Sequence, residues 1–260
     1  MNHRPEDLSL PEDPSPQRVL ALETSGRIGS LAILNRYADG RVQTVGQTLL
    51  SADERTAESL LPAMGGLLDR ANWPPTSIQL VSVVTGPGSF TGLRMGVTTA
   101  KTFAYAADAK LVGIHTLAAI ARPLVGGSIQ QKGSSPPGDF GQQGSCGRLW
   151  AILNAQRQEL FVASFEPASP LPPVPTTQVM GISAWLDLLE PGDRVTGPPL
   201  EKLASLLPEG VQSAEERWWQ PAAVMVGQLG IALAQQVGAV SPMQLTPQYY
   251  RQSAAEEKIQ

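Results

Sequence analysis

Two stretches of this chain carry residue types that could do chemistry together. The first is Glu23-Thr24-Ser25, which closes the apolar run Val19-Leu20-Ala21-Leu22. A carboxylate and two hydroxyls where a strand meets its turn could hold a metal ion through water or face a nucleotide phosphate. They could equally serve the turn itself, with the hydroxyls hydrogen-bonding local backbone and Glu23 left to solvent. The second stretch is Thr85-Gly86-Pro87-Gly88-Ser89-Phe90-Thr91-Gly92-Leu93-Arg94, where three glycines and one proline fall within residues 86–92. Glycine reaches positive φ at little cost and proline fixes φ, so the stretch reads as a tight strand-to-helix turn. Ser89 or Thr91 can cap the helix that follows. Backbone N–H groups at the positive end of a helix suit a phosphate or another anion. Glu23, Thr24, Gly86, Gly88 and Ser89 are therefore the candidate nucleotide or anion site. The loop has neither the Walker A pattern nor the GxGxxG spacing, and a Gly/Pro cluster also marks a purely structural turn.

Little else in the chain offers a reactive group. There are two histidines, His3 and His115, and neither belongs to an HxxxH or HExxH pair, so no metal site and no cofactor are expected. His115 sits at a strand-to-helix corner and reads as hydrogen-bonded structure. A single cysteine, Cys146, excludes an internal disulfide framework and fits a cytoplasmic protein with an inert thiol. The net charge of −4 gives no basis for strong unaided binding to nucleic acid. No window approaches the roughly 20 apolar residues of a membrane span, and the polar, proline-rich start is not a signal peptide.

The elements that must position these groups follow from periodicity. Residues 1–17 read as a disordered leader. Strands are expected over residues 18–25, 29–36 and 41–50, joined by short links that favour hairpins. A helix over 57–71 places Leu60, Leu61, Met64, Leu67 and Leu68 on one apolar face, with Pro62 near its first turn and Gly65-Gly66 weakening it. A strand over 78–85 runs into the glycine loop and a helix over 93–107. On that helix Gly92, Gly96 and Ala100 are four apart and form a smooth stripe. The two helices thus offer a ridge (Leu60, Leu61, Met64, Leu68) and a groove (Gly92, Gly96, Ala100). Such faces either cover the chain's own sheet or receive a partner.

A strand over 109–114 and a helix capped by Thr116 come next. Residues 126–147 read as a flexible Gly/Ser/Gln-rich insertion. The second half offers a hairpin (148–154 and 159–165) with Arg157 exposed at its link and a proline-rich connector. Short elements at 176–180, 183–190, 194–197 and 199–207 and a longer helix over 221–237 complete it. In the tail, Pro247-Gln248-Tyr249-Tyr250-Arg251 reads by composition as an exposed sticky patch, or else Tyr249 or Tyr250 anchors the tail. The order β-β-β-α-β-α-β followed by a shorter α/β half predicts an α/β, two-lobed actin-like (ribonuclease H-like) fold with mixed sheets flanked by helices. One lobe is expected over 18–108 and a smaller one over 109–220, with the helix and tail of 221–260 free to return to the first lobe.

Several of these stretches, taken in order, resemble the TsaB (YeaZ) family. They are Val19–Ser25, Thr56-Ala-Glu-Ser-Leu-Leu-Pro62, Gly86–Gly96, Gly113-Ile-His-Thr-Leu117, Asn154–Glu159 and Pro247–Arg251. Glu23 stands where that family usually has Asp, and Asn154-Ala155-Gln156 where it has Asp-Ala-Arg. The resemblance implies a non-catalytic subunit in tRNA processing, one that binds and activates the TsaD-type transferase of tRNA threonylcarbamoyladenosine modification. A TsaE-type ATPase would join the pair, tRNA would be met only through the complex, and a homodimer would form when the chain is alone. It also implies an interface on the first two helices of the first lobe, hence on Leu60, Leu61, Met64, Leu68, Gly92, Gly96 and Ala100. The alternative is an actin-like-fold ATP-binding enzyme, a kinase or carbamoyltransferase, using Glu23 and the Gly86–Ser89 loop.

Overall fold

The apolar run before Glu23 forms β1 (Gln17–Glu23), the middle strand of a five-stranded sheet. The computed structural model describes residues 15–51, 56–125, 147–166, 171–172, 174–236, 238 and 240–250. Most of the expected leader, nearly all of the expected insertion, and Cys146 and Arg251 lie outside these residues; of the leader's described residues, Gln17 already belongs to β1. β1 pairs antiparallel with β2 (Ser30–Arg36), and β2 with β3 (Val42–Leu49), which forms one edge. β1 pairs parallel with β4 (Leu80–Gly86), and β4 with β5 (Lys110–His115), which forms the other edge. The order is β3-β2-β1-β4-β5. β3 alternates half-buried with exposed residues, as an edge strand with one covered face should. β1 over Val19–Leu22 and most of β4 are apolar because helices cover both of their faces.

One face is covered by α1 (Thr56–Arg70) and α2 (Phe90–Ala106), whose Leu60, Met64, Leu67, Leu68, Val97, Ala100 and Ala104 pack on Leu20, Leu22, Ile33 and Val83. The opposite face is covered by α3 (Thr116–Ala121) and α6 (Ala223–Gln236). Helix α6 therefore packs on the first sheet, reached by Val224, Val226 and Ile231 against Val19, Ala21 and Leu34.

The second sheet has the order β10-β9-β6-β7-β8. Its strands are β6 (Leu149–Gln156), β7 (Glu159–Phe165), β8 (Gln178–Gly181), β9 (Arg194–Thr196) and β10 (Gln212–Ser213). β6–β7 and β7–β8 are antiparallel, whereas β6–β9 and β9–β10 are parallel. Read from its antiparallel edge, this sheet repeats the first: three strands in a meander, then two in parallel. α3 and Tyr250 cover one face. The short helices α4 (Ile182–Leu186) and α5 (Leu200–Leu203) cover the other, around a fully buried Trp185. Two such units, each a mixed sheet flanked by helices, make the two-lobed actin-like (ribonuclease H-like) fold.

Three expectations are corrected. β5 belongs to the first sheet, so the first lobe runs past residue 108; the parallel crossover through α2 delivers the strand beside β4. α3 is capped by His115 rather than Thr116, since the His115 Nδ1 accepts the Leu117 N–H at 3.2 Å. α3 ends at Ala121 in a short 3₁₀ turn containing Pro123, which lacks the N–H a longer helix needs. In the β6–β7 hairpin, the exposed Arg157 lies between Gln156 and Gln158, and all three have left-handed φ values of 66°, 49° and 61°.

Asp193 ties the second lobe together. It is buried and accepts from the Arg148 N–H (2.8 Å), the Trp150 indole (2.7 Å) and the Glu190 N–H (3.2 Å). Asp193→Ala strands these donors, one of them on a buried indole. A loss of about 3 kcal/mol is expected, read as a lower urea midpoint at unchanged slope.

Candidate functional site

The carboxyl end of β1 and the loop after β4 meet at one end of the first sheet, because the two strands are parallel neighbours. The structure brings Glu23, Thr24, Gly86, Gly88 and Ser89 together there. The Ser89 N–H donates to the Ser25 carbonyl at 2.8 Å. Ser89 caps α2 by accepting the Gly92 N–H at 3.2 Å. Its neighbour Thr91, the other capping candidate, lies inside the helix.

The glycines of the loop are needed for close packing within the chain. A Cβ at Gly88 would lie 2.5 Å from that of Ser25, and one at Gly92 would land on the Thr24 carbonyl. A Cβ at Gly96 would land on the Thr24 hydroxyl, and one at Gly86 on the Gln248 carbonyl. The chain's own turn and tail thus press on the surfaces that sequence reading offered to a phosphate. Gly96→Ala forces the helix away from β1 and should cost about 2 kcal/mol, measured as a drop in Tm with circular dichroism retained.

Glu23 is fully buried, and one of its oxygens accepts from the Ser25 N–H (2.7 Å) and the Ser25 hydroxyl (2.5 Å). Burial disfavours the charged form, so its pKa is pushed up to about 7, and the Ser25 bonds only partly oppose this. Its other oxygen and the Thr24 hydroxyl have no hydrogen-bond partner among the described residues. Those residues include no cluster of three His, Cys, Asp or Glu able to hold a metal ion. Glu23 and Thr24, with the Thr116 hydroxyl just after β5, thus have coordinating or hydrogen-bonding capacity left at this end of the sheet.

The seven expected interface residues divide unevenly. Leu60, Met64, Leu68, Gly92, Gly96 and Ala100 are all buried against their own lobe. These six residues cover the chain's own lobe, since an amphipathic helix buries its apolar side on the nearest core. Leu61 alone of the seven faces out, at 58% exposure. On α1 it shares an outward strip with Glu58, Pro62 and Gly65, and α2 turns Thr98, Thr102 and Tyr105 outward.

Of the two readings of the tail, sticky patch or tyrosine anchor, the contacts of both tyrosines fit the anchor. The Gln248 N–H donates to the Thr85 carbonyl at 2.7 Å, directly before the glycine loop. The Tyr249 hydroxyl accepts from Arg94 Nε at 2.9 Å, and its ring lies 4.8 Å from that of Phe90, over which the Arg94 guanidinium stacks at 3.9 Å. The Tyr250 hydroxyl pairs with His115 Nε2 at 2.8 Å, and Thr177 of the second lobe pairs with the same nitrogen at 3.1 Å. Because the His115 Nδ1 accepts the Leu117 N–H, the ring is neutral with its proton on Nε2. Burial holds its pKa down, at about 4. The spacing of Pro247 to Arg251 could not show this, because it joins residues over 130 positions apart.

Comparison with known proteins adds to this geometry. A family profile described as "TsaD: tRNA N6-adenosine threonylcarbamoyltransferase" matches residues 50–135, the span that holds α1, the glycine loop, α2 and β5. The Bacillus subtilis (strain 168) protein named "tRNA threonylcarbamoyladenosine biosynthesis protein TsaB" is 25% identical over 181 residues, which cover 68% of this chain and 67% of that protein. The protein of the same name from Escherichia coli (strain K12) is 28% identical over 149 residues, 57% of this chain and 55% of that one. The match thus spans between about half and two thirds of these relatives' lengths. The solved structure of YeaZ from Pseudomonas aeruginosa superposes with a TM-score of 0.64 at 20% identity, covering 90% of this chain and 99% of that one, and so shares the fold. In sequence this chain is similar to proteins named TsaB, and it shares the fold of YeaZ.

Proposed function

We propose that the chain serves the biosynthesis of threonylcarbamoyladenosine in tRNA as a non-catalytic subunit that binds and activates a TsaD-type transferase. The observation that carries this reading is the sequence likeness to proteins named for that biosynthesis, together with the profile match over residues 50–135, which holds α1, the glycine loop and α2. Two features of the residues support the non-catalytic part. The histidines His3 and His115 are far apart in the chain, and His115 spends both ring nitrogens on internal bonds. The glycine loop is pressed by Ser25 and Gln248 of the same chain, so its tight turn serves packing first. The partner surface is the outward strip of α1 and α2, centred on Leu61 and Gly65, and the buried residues behind it hold the two helices in place. A TsaE-type ATPase joins this pair, and tRNA is met through the complex.

The test is reconstitution. The chain is added to the TsaD-type and TsaE-type proteins of the same organism with the threonylcarbamoyl donor and tRNA. Modified adenosine is expected to accumulate only when the chain is present, and the chain alone is expected to give none. Modification that proceeds equally without the chain, or turnover by the pure chain, would refute the reading.

A further inference from the structure

Residues 240–250 lie along the first lobe without entering it. None is buried, and Met243 and Tyr249 are among the exposed large side chains. The surface beneath them is buried and shaped. β5 is the edge of its sheet, and its Leu111 pairs antiparallel with Val240, whose N–H donates to the Leu111 carbonyl at 2.9 Å. Gly113 on the same strand leaves a notch that the Leu245 side chain fills; a Cβ there would lie 2.7 Å from Leu245 Cδ1. Gly86 leaves a second notch for the Gln248 carbonyl, and the Gln248 N–H reaches Thr85. Tyr249 and Tyr250 finish the segment on Arg94 and His115. This is how a sheet edge recognises an extended peptide: main-chain bonds along the edge supply hold, and alternating notches supply selectivity.

We infer that β5, the glycine loop and the start of α2 form a peptide-recognition groove for the pattern Leu-x-Pro-x-Tyr-Tyr. Its resident ligand is the chain's own segment Val240–Tyr250, which leaves and reseats as a unit while both lobes stay folded. The segment hangs on a few hydrogen bonds, the seated Leu245 and the rings of Tyr249 and Tyr250, with no residue buried, whereas β1 and β4 are buried along almost their whole length, so its opening costs less than unfolding. The groove uses neither Leu61 nor Gly65, although Lys101 of α2 also reaches the Met243 carbonyl at 3.3 Å, and the inference does not rest on the proposed function.

Hydrogen exchange on the full chain tests the release. The Val240 and Gln248 amides are expected to exchange together, about a hundredfold faster than the amides of Leu20 and Leu22. Exchange of all four at one rate would overturn the inference, because the segment would then open only with global unfolding. A labelled peptide spanning Val240–Tyr250 tests the groove. It should bind saturably to full-length Leu245→Ala, whose own segment is loosened, and at least about tenfold more weakly to the wild type, whose groove is filled. A peptide with both tyrosines replaced by alanine should not bind. Equal binding of the two peptides, or no binding to a folded Leu245→Ala chain, would overturn it. So would dimerisation of the wild type that vanishes in Leu245→Ala, since the segment would then be seated in a second copy.

Discussion

A chain carrying Leu61→Asp together with Gly65→Arg is expected to fold as the wild type does and to lose the TsaD-type partner proposed above. The two positions are one helical turn apart on α1 and face outward together. Leu61 is a large apolar side chain left in solvent on a helix whose Leu60, Leu67 and Leu68 are buried. Space around Gly65 is open, so an arginine there meets nothing within the chain, and replacing a mid-helix glycine removes about 1 kcal/mol of propensity cost. Against a partner, the same two changes put a carboxylate where an apolar anchor sat and a long cation where a close approach was possible. Disruption at the centre of an interface costs about 2 kcal/mol or more per residue, so the dissociation constant should rise at least about a hundredfold. Co-purification and calorimetry would show the loss, with circular dichroism and Tm unchanged. A complex that survives both changes would move the interface off this strip. The tempting alternative, Gly96→Arg, says nothing about partners, because its side chain would be driven into Thr24 and the fold would fail first.

The second expectation concerns pH. Two buried groups pull the stability curve in opposite directions. Glu23 keeps its proton up to about pH 7 in the folded chain but gives it up near 4.5 when unfolded. Between these values the native state binds the extra proton, so stability falls as pH rises, by about 1.4 kcal/mol per unit. His115 stays neutral down to about pH 4 when folded but takes a proton near 6.5 when unfolded. Between those values the unfolded state binds the extra proton, so stability rises with pH at the same slope. The windows overlap from about 4.5 to 6.5, where the two slopes cancel and the wild type should be nearly level. Each substitution uncovers the other slope. Glu23→Gln should gain about 3 kcal/mol of stability from pH 4 to 6.5, and His115→Asn, whose amide can still cap α3, should lose about as much from pH 4.5 to 7. Urea midpoints at half-unit intervals read both curves. Parallel curves for the two variants would mean that neither group holds its proton as the burial requires.

Much of the fold was legible because the first half of the chain is locally consistent. The apolar run before Glu23 is a central strand, and the Gly/Pro cluster is the turn into α2. The site was legible in its parts and not in its orientation. Periodicity found the apolar faces of α1 and α2, but a stripe such as Gly92-Gly96-Ala100 looks the same whether it meets a partner or Thr24 of its own chain. Only the packing decides, and here the sheet claims both helices. His115 and Tyr250 were each noticed, but no local pattern joins residues so distant in sequence. The lobe boundary slipped for the same reason: β5 reads as the start of something new until its pairing with β4 is known.

The outer strand β3 has a consequence for handling the protein. Val42-Gln-Thr-Val-Gly-Gln-Thr-Leu49 carries no charge and no proline, and Leu49 is 71% exposed at its end. The second sheet keeps its corresponding antiparallel edge short, with β8 only four residues long. β3 has no such protection, and an uncharged edge of that length is a template for strand addition between molecules. Aggregation of this protein in concentrated solution should therefore begin at β3.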